Sequence, residues 1–136
     1  MRKGAVLLVG AFVLSAASCG GRKQPAAAIM NRDIHSYAEP DQVRVKHLSL
    51  DIEALFDSKT LRGSVTLDIE RSAGAGAAPL ILDTRDLAIE SVEASSGGEF
   101  RAAPYELGAA DKILGAPLRI TLPQDARQVR VRYSTS

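Results

Sequence analysis

Residues 48–70, LSLDIEALFDSKTLRGSVTLDIE, decide the fold of this chain, because apolar and polar side chains alternate along both halves of the stretch. Alternation with a period of two is typical of a β-strand with one buried and one solvated face. Residues 57–60, Asp-Ser-Lys-Thr, form a short polar connection between the halves. The stretch therefore predicts a β-hairpin. Its apolar positions are Leu48, Leu50, Ile52, Ala54 and Phe56, then Leu61, Gly63, Val65, Leu67 and Ile69.

The alternation changes phase just upstream of the hairpin. Val43 and Val45 lie at odd positions, whereas Leu48 and Leu50 lie at even ones. One inserted residue in a strand shifts the phase in this way. We therefore expect a bulge or bend near His47.

Further short apolar runs follow, with turn residues such as 95–98 between them, and no stretch after Cys19 has a helical period. Several short strands separated by turn signals predict an all-β chain folded as an antiparallel β-sandwich or a saddle-like sheet. The runs lie at 80–82, 87–92, 100–105, 118–122 and 129–133.

Length and charge limit the class of protein. With 136 residues the chain has the length of one domain, and its 46% of hydrophobic residues is enough for a core, which argues against wholesale disorder. The formal net charge is +1. A chain this close to neutral offers no electrostatic reason to expect a nucleic acid as partner.

Residues 1–18 have the features of a signal peptide. Two basic residues, Arg2 and Lys3, precede an apolar and small-residue run at 4–17 that is shorter than the ~20 residues of a membrane span. Small residues then lead to Cys19, as in a bacterial lipobox, where the thiol is lipidated and the chain is cut before it. The alternative is an ordinary signal peptide cut near residue 17 or 18, with Cys19 incidental.

Cys19 is the only cysteine, so it has no disulfide partner within the chain, which favours the lipid. We expect an exported, membrane-anchored lipoprotein of the cell envelope. Residues 19–32 would hold the anchor cysteine and a tether, and residues 33–136 the β-domain.

Catalytic chemistry is hardly represented in the sequence. It contains two histidines and no His-Glu-x-x-His pair, so we predict no catalytic residue and no metal ligand in this chain. His47 continues the parity of Val43 and Val45, and we expect a partly buried, hydrogen-bonded strand residue. His35 precedes the first strand and is expected to anchor that segment by a hydrogen bond.

Charged side chains have structural interpretations. Asp83 and Asp86 flank two residues between two predicted strands, where aspartates commonly bond nearby backbone N–H groups of a tight turn; Arg85 would then balance the charge. Arg127, Arg130 and Arg132 are expected on the solvated face of the last strand, where charges discourage edge pairing.

Several segments resemble, in order and spacing, the amino-terminal domain of the zinc aminopeptidase family that includes leukotriene hydrolase and aminopeptidase N. The most specific is 82–92, LDTRDLAIESV. The others are 35–38 (HSYA), 45–50 (VKHLSL), 61–67 (LRGSVTL), 115–123 and 133–136 (YSTS). The resemblance runs from about Asp33 to the end of the sequence.

This resemblance implies a scaffold role rather than a catalytic one. Family enzymes hydrolyse amino-terminal residues from peptides with a zinc held by a His-Glu-x-x-His helix and a downstream Glu, and a Gly-x-Met-Glu-Asn segment helps to bind the peptide amino terminus. Neither motif occurs here. Zinc and peptide substrate are therefore expected only in a full-length enzyme, whose remaining chain would be this domain's partner.

Two functional hypotheses remain open at this point. The first is an incomplete amino-terminal domain of an exported aminopeptidase, whose sheet would be unfinished at residues 129–133. The second is a stand-alone lipoprotein β-module that binds a protein or sugar without catalysis. The first predicts coding sequence beyond Ser136, and the second predicts a sheet that closes on itself.

Overall fold

The computed structural model describes residues 33–135, which form eight β-strands and no helix. This confirms the all-β prediction. The predicted signal peptide, Cys19 and the tether lie outside the described residues. The strands are β1 (Val43–Leu55), β2 (Thr60–Arg71), β3 (Leu80–Thr84), β4 (Leu87–Ser95), β5 (Arg101–Ala102), β6 (Tyr105–Leu107), β7 (Ala116–Ile120) and β8 (Gln128–Thr135).

The predicted hairpin is formed by β1 and β2, which pair antiparallel along almost their whole length. The connection is one residue earlier than predicted, at 56–59. Within it the Lys59 N–H donates to the Phe56 carbonyl at 3.3 Å, and Lys59 has a left-handed φ of 53°.

The predicted bulge is also present. The register of β1 on β2 shifts between Val45, which lies opposite Ile69, and His47, which lies opposite Asp68. Directly opposed residues of an antiparallel pair point to the same face of the sheet. The bulge therefore keeps the apolar residues on both sides of it on one face.

Five strands form the larger sheet in the order β1-β2-β8-β4-β5. Strand β8 pairs with β2 on one side and with β4 on the other. Val129 is fully buried and Val131 is 3% exposed. The expectation that the sheet is unfinished at residues 129–133 is therefore wrong, because β8 is the central strand. Within residues 33–135, the long edge without a neighbour belongs to β1 instead.

The remaining strands form a second, three-stranded antiparallel sheet in the order β3-β7-β6. Residues 100–105, predicted as one weak strand, are split between the edge strands β5 and β6 of the two sheets. The sheets pack through one hydrophobic core in which Leu80, Leu118 and Ile120 of the smaller sheet meet Val92 and Val129 of the larger one. Burial of such side chains contributes about 1.5–3 kcal/mol each.

The core does not extend over the whole hairpin. Leu67 and Ile69 at one end of β2 are buried, whereas Leu48, Leu50 and Ile52 of β1, beyond the bulge, are exposed. The alternation predicted a hairpin with one buried face. The core covers that face only at the end of the hairpin away from the turn, at Val43, Leu67 and Ile69. The exposed large apolar residues of the hairpin are Val45 (38%), Leu48 (53%), Leu50 (57%), Ile52 (40%), Phe56 (88%) and Leu61 (44%).

Candidate functional site

The two histidines do not form a site. His47 lies on β1 next to the bulge and is exposed, with its Nε2 3.4 Å from the Ser49 hydroxyl. The expected partial burial of His47 is wrong, because its side chain shares the polar face with Asp68. His35 is exposed as well, and its backbone N–H donates to Asp33 Oδ1 at 2.8 Å.

Ser36, rather than His35, anchors the segment that precedes β1. Its hydroxyl donates to Asp83 Oδ2 at 2.6 Å, and the Tyr37 N–H donates to Asp83 Oδ1 at 2.8 Å. Asp83 therefore binds Tyr37 and Ser36, which lie 46 and 47 positions away in the sequence. The sequence had suggested bonds to the backbone near Asp83 instead. The carboxylate ties the start of the domain to the end of β3.

The tight turn between β3 and β4 is present as predicted. Residues 85 and 86 form it, and Asp86 has a left-handed φ of 52°. The guanidinium of Arg85 donates to the Ile113 carbonyl, so Arg85 bridges to the loop before β7 rather than only balancing the turn. Thr84 adds a bond in the same region, from its hydroxyl to the Ala116 carbonyl at 2.8 Å.

The loop before β7 is organised by Asp111. Its Oδ1 accepts from the Ile113 N–H at 2.7 Å and from the Leu114 N–H at 2.9 Å. These backbone hydrogen bonds, that to Leu114 first, hold the pKa of Asp111 below its ordinary value. Gly115 closes the loop with a φ of 75°, and a Cβ there would lie 2.1 Å from the Thr84 carbonyl oxygen.

The three arginines at β8 have different surroundings. Arg127 and Arg132 are exposed, as expected for a solvated face. Arg130 is half-buried: its guanidinium lies 3.8 Å from the centre of the Phe100 ring and 3.8 Å from Glu93 Oε2. At that distance Arg130 gives Glu93 charge compensation without a hydrogen bond. Arg130 therefore links β8 to Glu93 of β4 and is not a free cation available to an anionic partner.

The polar face of the hairpin is a charged surface with balanced signs. Arg44 donates to Glu70 Oε2 through Nε at 2.9 Å and through Nη2 at 2.5 Å, and this bonding lowers the pKa of Glu70. Arg62 lies 3.9 Å from Glu53. An open groove of about 270 Å³ runs along this face beside Arg62 and Arg132. Exposed pairs of this kind contribute little to stability.

The opposite face of the hairpin is apolar, no other described residue covers it, and we call it the hairpin face. Its members share the side of the sheet that carries the core, because Leu48 lies opposite the buried Leu67 and Leu50 lies opposite Val65. A contiguous exposed apolar patch on a folded domain marks an interaction site. The hairpin face consists of Val45, Leu48, Leu50, Ile52 and Leu61.

Zinc does not fit the part of the chain that the structure describes. Across residues 33–135, no three His, Cys, Asp or Glu side chains are grouped so that they could hold a metal ion. A zinc site needs three or four such ligands at one point. Over the same range, no helix is both long and apolar enough to pass through a membrane.

Comparison with solved structures finds this arrangement of strands in a known enzyme. The chain superposes on native leukotriene A4 hydrolase from Saccharomyces cerevisiae with a TM-score of 0.67 and 20% sequence identity, over 83% of this chain and 18% of that one. The yeast enzyme in complex with bestatin gives a TM-score of 0.70 at the same identity, over 83% and 17%. These likenesses establish the fold.

Sequence comparison agrees with the structural one, although no family model matches the chain. Leukotriene A-4 hydrolase of Xenopus laevis is 36% identical over 91 residues, which are 67% of this chain and 14% of that protein. Leucine aminopeptidase 2 of Candida albicans is 33% identical over 91 residues, with the same shares.

The match thus spans about one seventh of the length of these relatives. In both comparisons the matched part is the amino-terminal region. The chain belongs to the zinc aminopeptidase family that includes leukotriene hydrolase, and what it represents of that family is the amino-terminal β-domain.

Proposed function

We propose that this domain is the amino-terminal scaffold of a longer, exported zinc metallo-aminopeptidase that hydrolyses amino-terminal residues from peptides. The observation that carries the proposal is the 36% identity to a leukotriene A-4 hydrolase, confined to 14% of that protein. The uncovered hairpin face supports it, since an apolar surface of this kind suits a domain that packs against more protein.

In this proposal the domain borders the peptide cleft and contributes no reacting group. Zinc-activated water is the nucleophile of such hydrolysis, and zinc chemistry would be supplied by the remaining chain. What residues 33–135 offer is a rigid support: two sheets joined by a common core, with the lead segment tied down through Asp83.

Export and membrane attachment are part of the same proposal. The basic, apolar and small-residue order before Cys19 supports acylation of its thiol and attachment to the cell envelope. Fractionation of cells that express the wild type and Cys19→Ser tests this. We expect the wild type with the membranes and the variant in the soluble fraction; equal solubility of the two would contradict the anchor.

The peptidase proposal is tested on the longer gene product, found by reading the nucleotides downstream of Ser136. We expect the frame to continue, and the purified product to hold one zinc and to release the chromophore from an aminoacyl amide. Chelation should abolish this activity, and added zinc should restore it. A stop codon directly after Ser136, with a stable monomeric chain, would instead favour the stand-alone binding module.

A further inference from the structure

Three connections between strands lie at one end of the two sheets, the end where β4 begins and β8 ends. The strand registers place them there: β1–β2 at 56–59, β3–β4 at 85–86 and β6–β7 at 108–115. The segment before β1 meets the same end, because Ser36 binds Asp83 at the end of β3. We call this the tether end, since the chain enters the described domain here at residue 33.

The tether end carries the three most exposed large hydrophobic side chains of residues 33–135. Phe56 is 88% exposed, Ile34 is 80% exposed and Ile113 is 76% exposed. The next in order, Leu50 on the hairpin face, is 57% exposed. Single exposed apolar residues are common on protein surfaces. Three of them on separate loops of one end indicate an apolar environment that they share.

The loops that present these side chains are held by specific contacts. The backbone of Ile113 is fixed on both sides, because Arg85 donates to its carbonyl and Asp111 Oδ1 accepts from its N–H at 2.7 Å. Ile34 lies two residues before Ser36, whose hydroxyl is bound to the end of β3. The exposed side chains therefore project from ordered backbone.

We propose that the tether end contacts the surface of a lipid bilayer, with Ile34, Phe56 and Ile113 inserted between the lipid headgroups. The inference rests on the proposed membrane attachment through Cys19. Residues 19–32 number 14 and can extend no further than about 50 Å. The tether end, where the chain enters the domain, is therefore held within that distance of the bilayer.

The charges next to these loops favour anionic lipids. Within the loops, Lys59 and Lys112 are each matched by a nearby aspartate. The tether is unbalanced, since residues 19–32 contain three bases and no acid: Arg22, Lys23 and Arg32. Basic segments beside a membrane anchor are attracted to anionic headgroups, and exposed apolar side chains add affinity by insertion. The attraction therefore depends on salt, whereas the insertion depends on the three hydrophobic residues.

Further polypeptide is the competing occupant of the tether end. Strand β8 ends there, with Thr135 opposite Leu87, so a continuation of the chain starts beside the same loops. If it covered them, no apolar side chain would remain for a bilayer. The experiment must therefore include the chain to its natural end.

Vesicle flotation of the chain from Gly20 to its natural end tests the proposal, because this chain lacks Cys19 and carries no acyl group. With vesicles of phosphatidylethanolamine and phosphatidylglycerol we expect binding, weakened about 10-fold by Phe56→Ser and by Ile113→Ser. Tyr105→Ser, at the opposite end of the smaller sheet, is the control and should change binding by less than about twofold. Absence of binding, or an equal loss in the control, would overturn the proposal.

Tryptophan fluorescence locates the contact, since the chain contains no tryptophan. Both sheets and their common core lie within residues 20–136, so Ile113→Trp, Leu50→Trp and Ser96→Trp are made in that chain, and a cooperative thermal transition confirms that each is folded. We expect vesicles to shift the emission of Ile113→Trp to shorter wavelength and brominated lipids to quench it. Ser96→Trp, at the opposite end, should not respond. A response of Leu50→Trp in place of Ile113→Trp would overturn the proposal, because the hairpin face would then meet the bilayer.

Acylation of Cys19 and peptidase activity are measured separately, so that the proposals fail separately. An acylated protein whose Gly20 form ignores vesicles would overturn the lipid contact and leave the anchor standing. Vesicle binding by the Gly20 form, together with a wild type that is soluble in cells, would support the lipid contact and overturn the anchor.

Discussion

At the scale of single residues, Gly63 is the position where the hairpin tolerates no side chain. A Cβ on Gly63 would lie 2.0 Å from the Asp51 carbonyl oxygen and 2.8 Å from Ile52 Cα. We expect Gly63→Ala to destabilise the domain by about 1–3 kcal/mol, because β1 must move away from β2. Thermal unfolding measures this. Gly98→Ala is the control, since nothing lies within 4 Å of its Cβ position; an equal loss there would refute the steric cause.

The Asp83 carboxylate is the residue-scale contact on which the lead segment depends. Asp83→Ala removes the acceptor of both Ser36 Oγ and the Tyr37 N–H, and we expect a loss of about 1–3 kcal/mol with faster exchange of the Tyr37 amide. Ser36→Ala should produce a smaller part of this effect, and the two losses should not add. Asp57→Ala, in the exposed hairpin turn, is the control.

Asp111 gives the domain an acid-dependent contribution to stability. Its pKa is lowered in the folded state by backbone hydrogen bonds, so the folded protein binds the proton less readily than the unfolded chain. The contribution is present above the unfolded pKa and is lost as pH falls through the folded one. We therefore expect the difference in Tm between wild type and Asp111→Ala to shrink as pH is lowered through the range in which carboxyl groups titrate. A constant difference would contradict this cause.

These contacts show what residue patterns cannot predict. The aspartates at 83 and 86 were correctly placed at a turn, because turn chemistry is local. The bond from Asp83 to Ser36 joins residues 47 positions apart, and nothing in either segment indicates the other. Likewise, the exposure of His47 depends on which side of the bulge it follows in the alternation of apolar and polar residues. Its odd position, shared with Val45, predicted the apolar face, whereas His47 lies on the polar face opposite Asp68.

At the scale of strands, alternation predicted the hairpin and the bulge, since both depend on neighbouring residues only. It could not predict strand order. A central strand and an edge strand can carry the same pattern, so β8 was expected at an unfinished edge, whereas it pairs on both sides. Nor does alternation show which apolar face is covered, because that depends on how far the second sheet extends.

Two identical substitutions separate the covered from the uncovered strands. Leu118 in β7 is fully buried and Leu50 in β1 is 57% exposed. In the 136-residue chain we expect Leu118→Ala to lower the free energy of unfolding by about 2–5 kcal/mol and Leu50→Ala by less than about 1 kcal/mol. Urea denaturation measures both. A loss at Leu50 as large as that at Leu118 would mean that the hairpin face is buried in solution, by self-association or by residues outside the described range.

At the scale of the whole molecule, composition and pattern predicted a β-domain without catalytic residues, and the comparisons find its likeness in the amino-terminal region of zinc aminopeptidases. The two statements are compatible because a zinc peptidase divides its tasks between domains. A β-sheet domain can shape a cleft with its backbone and apolar faces alone, whereas the metal needs several ligands at one point.

The division of tasks makes a prediction about metal. We expect the purified 136-residue chain to bind no stoichiometric zinc and to cleave no aminoacyl amide, because residues 33–135 present no grouped ligands and both His35 and His47 are exposed. Metal analysis after gel filtration measures the first, and a chromogenic assay the second. The longer product expected under the proposed function, treated identically, is the positive control. One zinc per 136-residue chain, lost in His35→Ala or His47→Ala, would show that a histidine of this domain is a metal ligand and would contradict the proposed division of tasks.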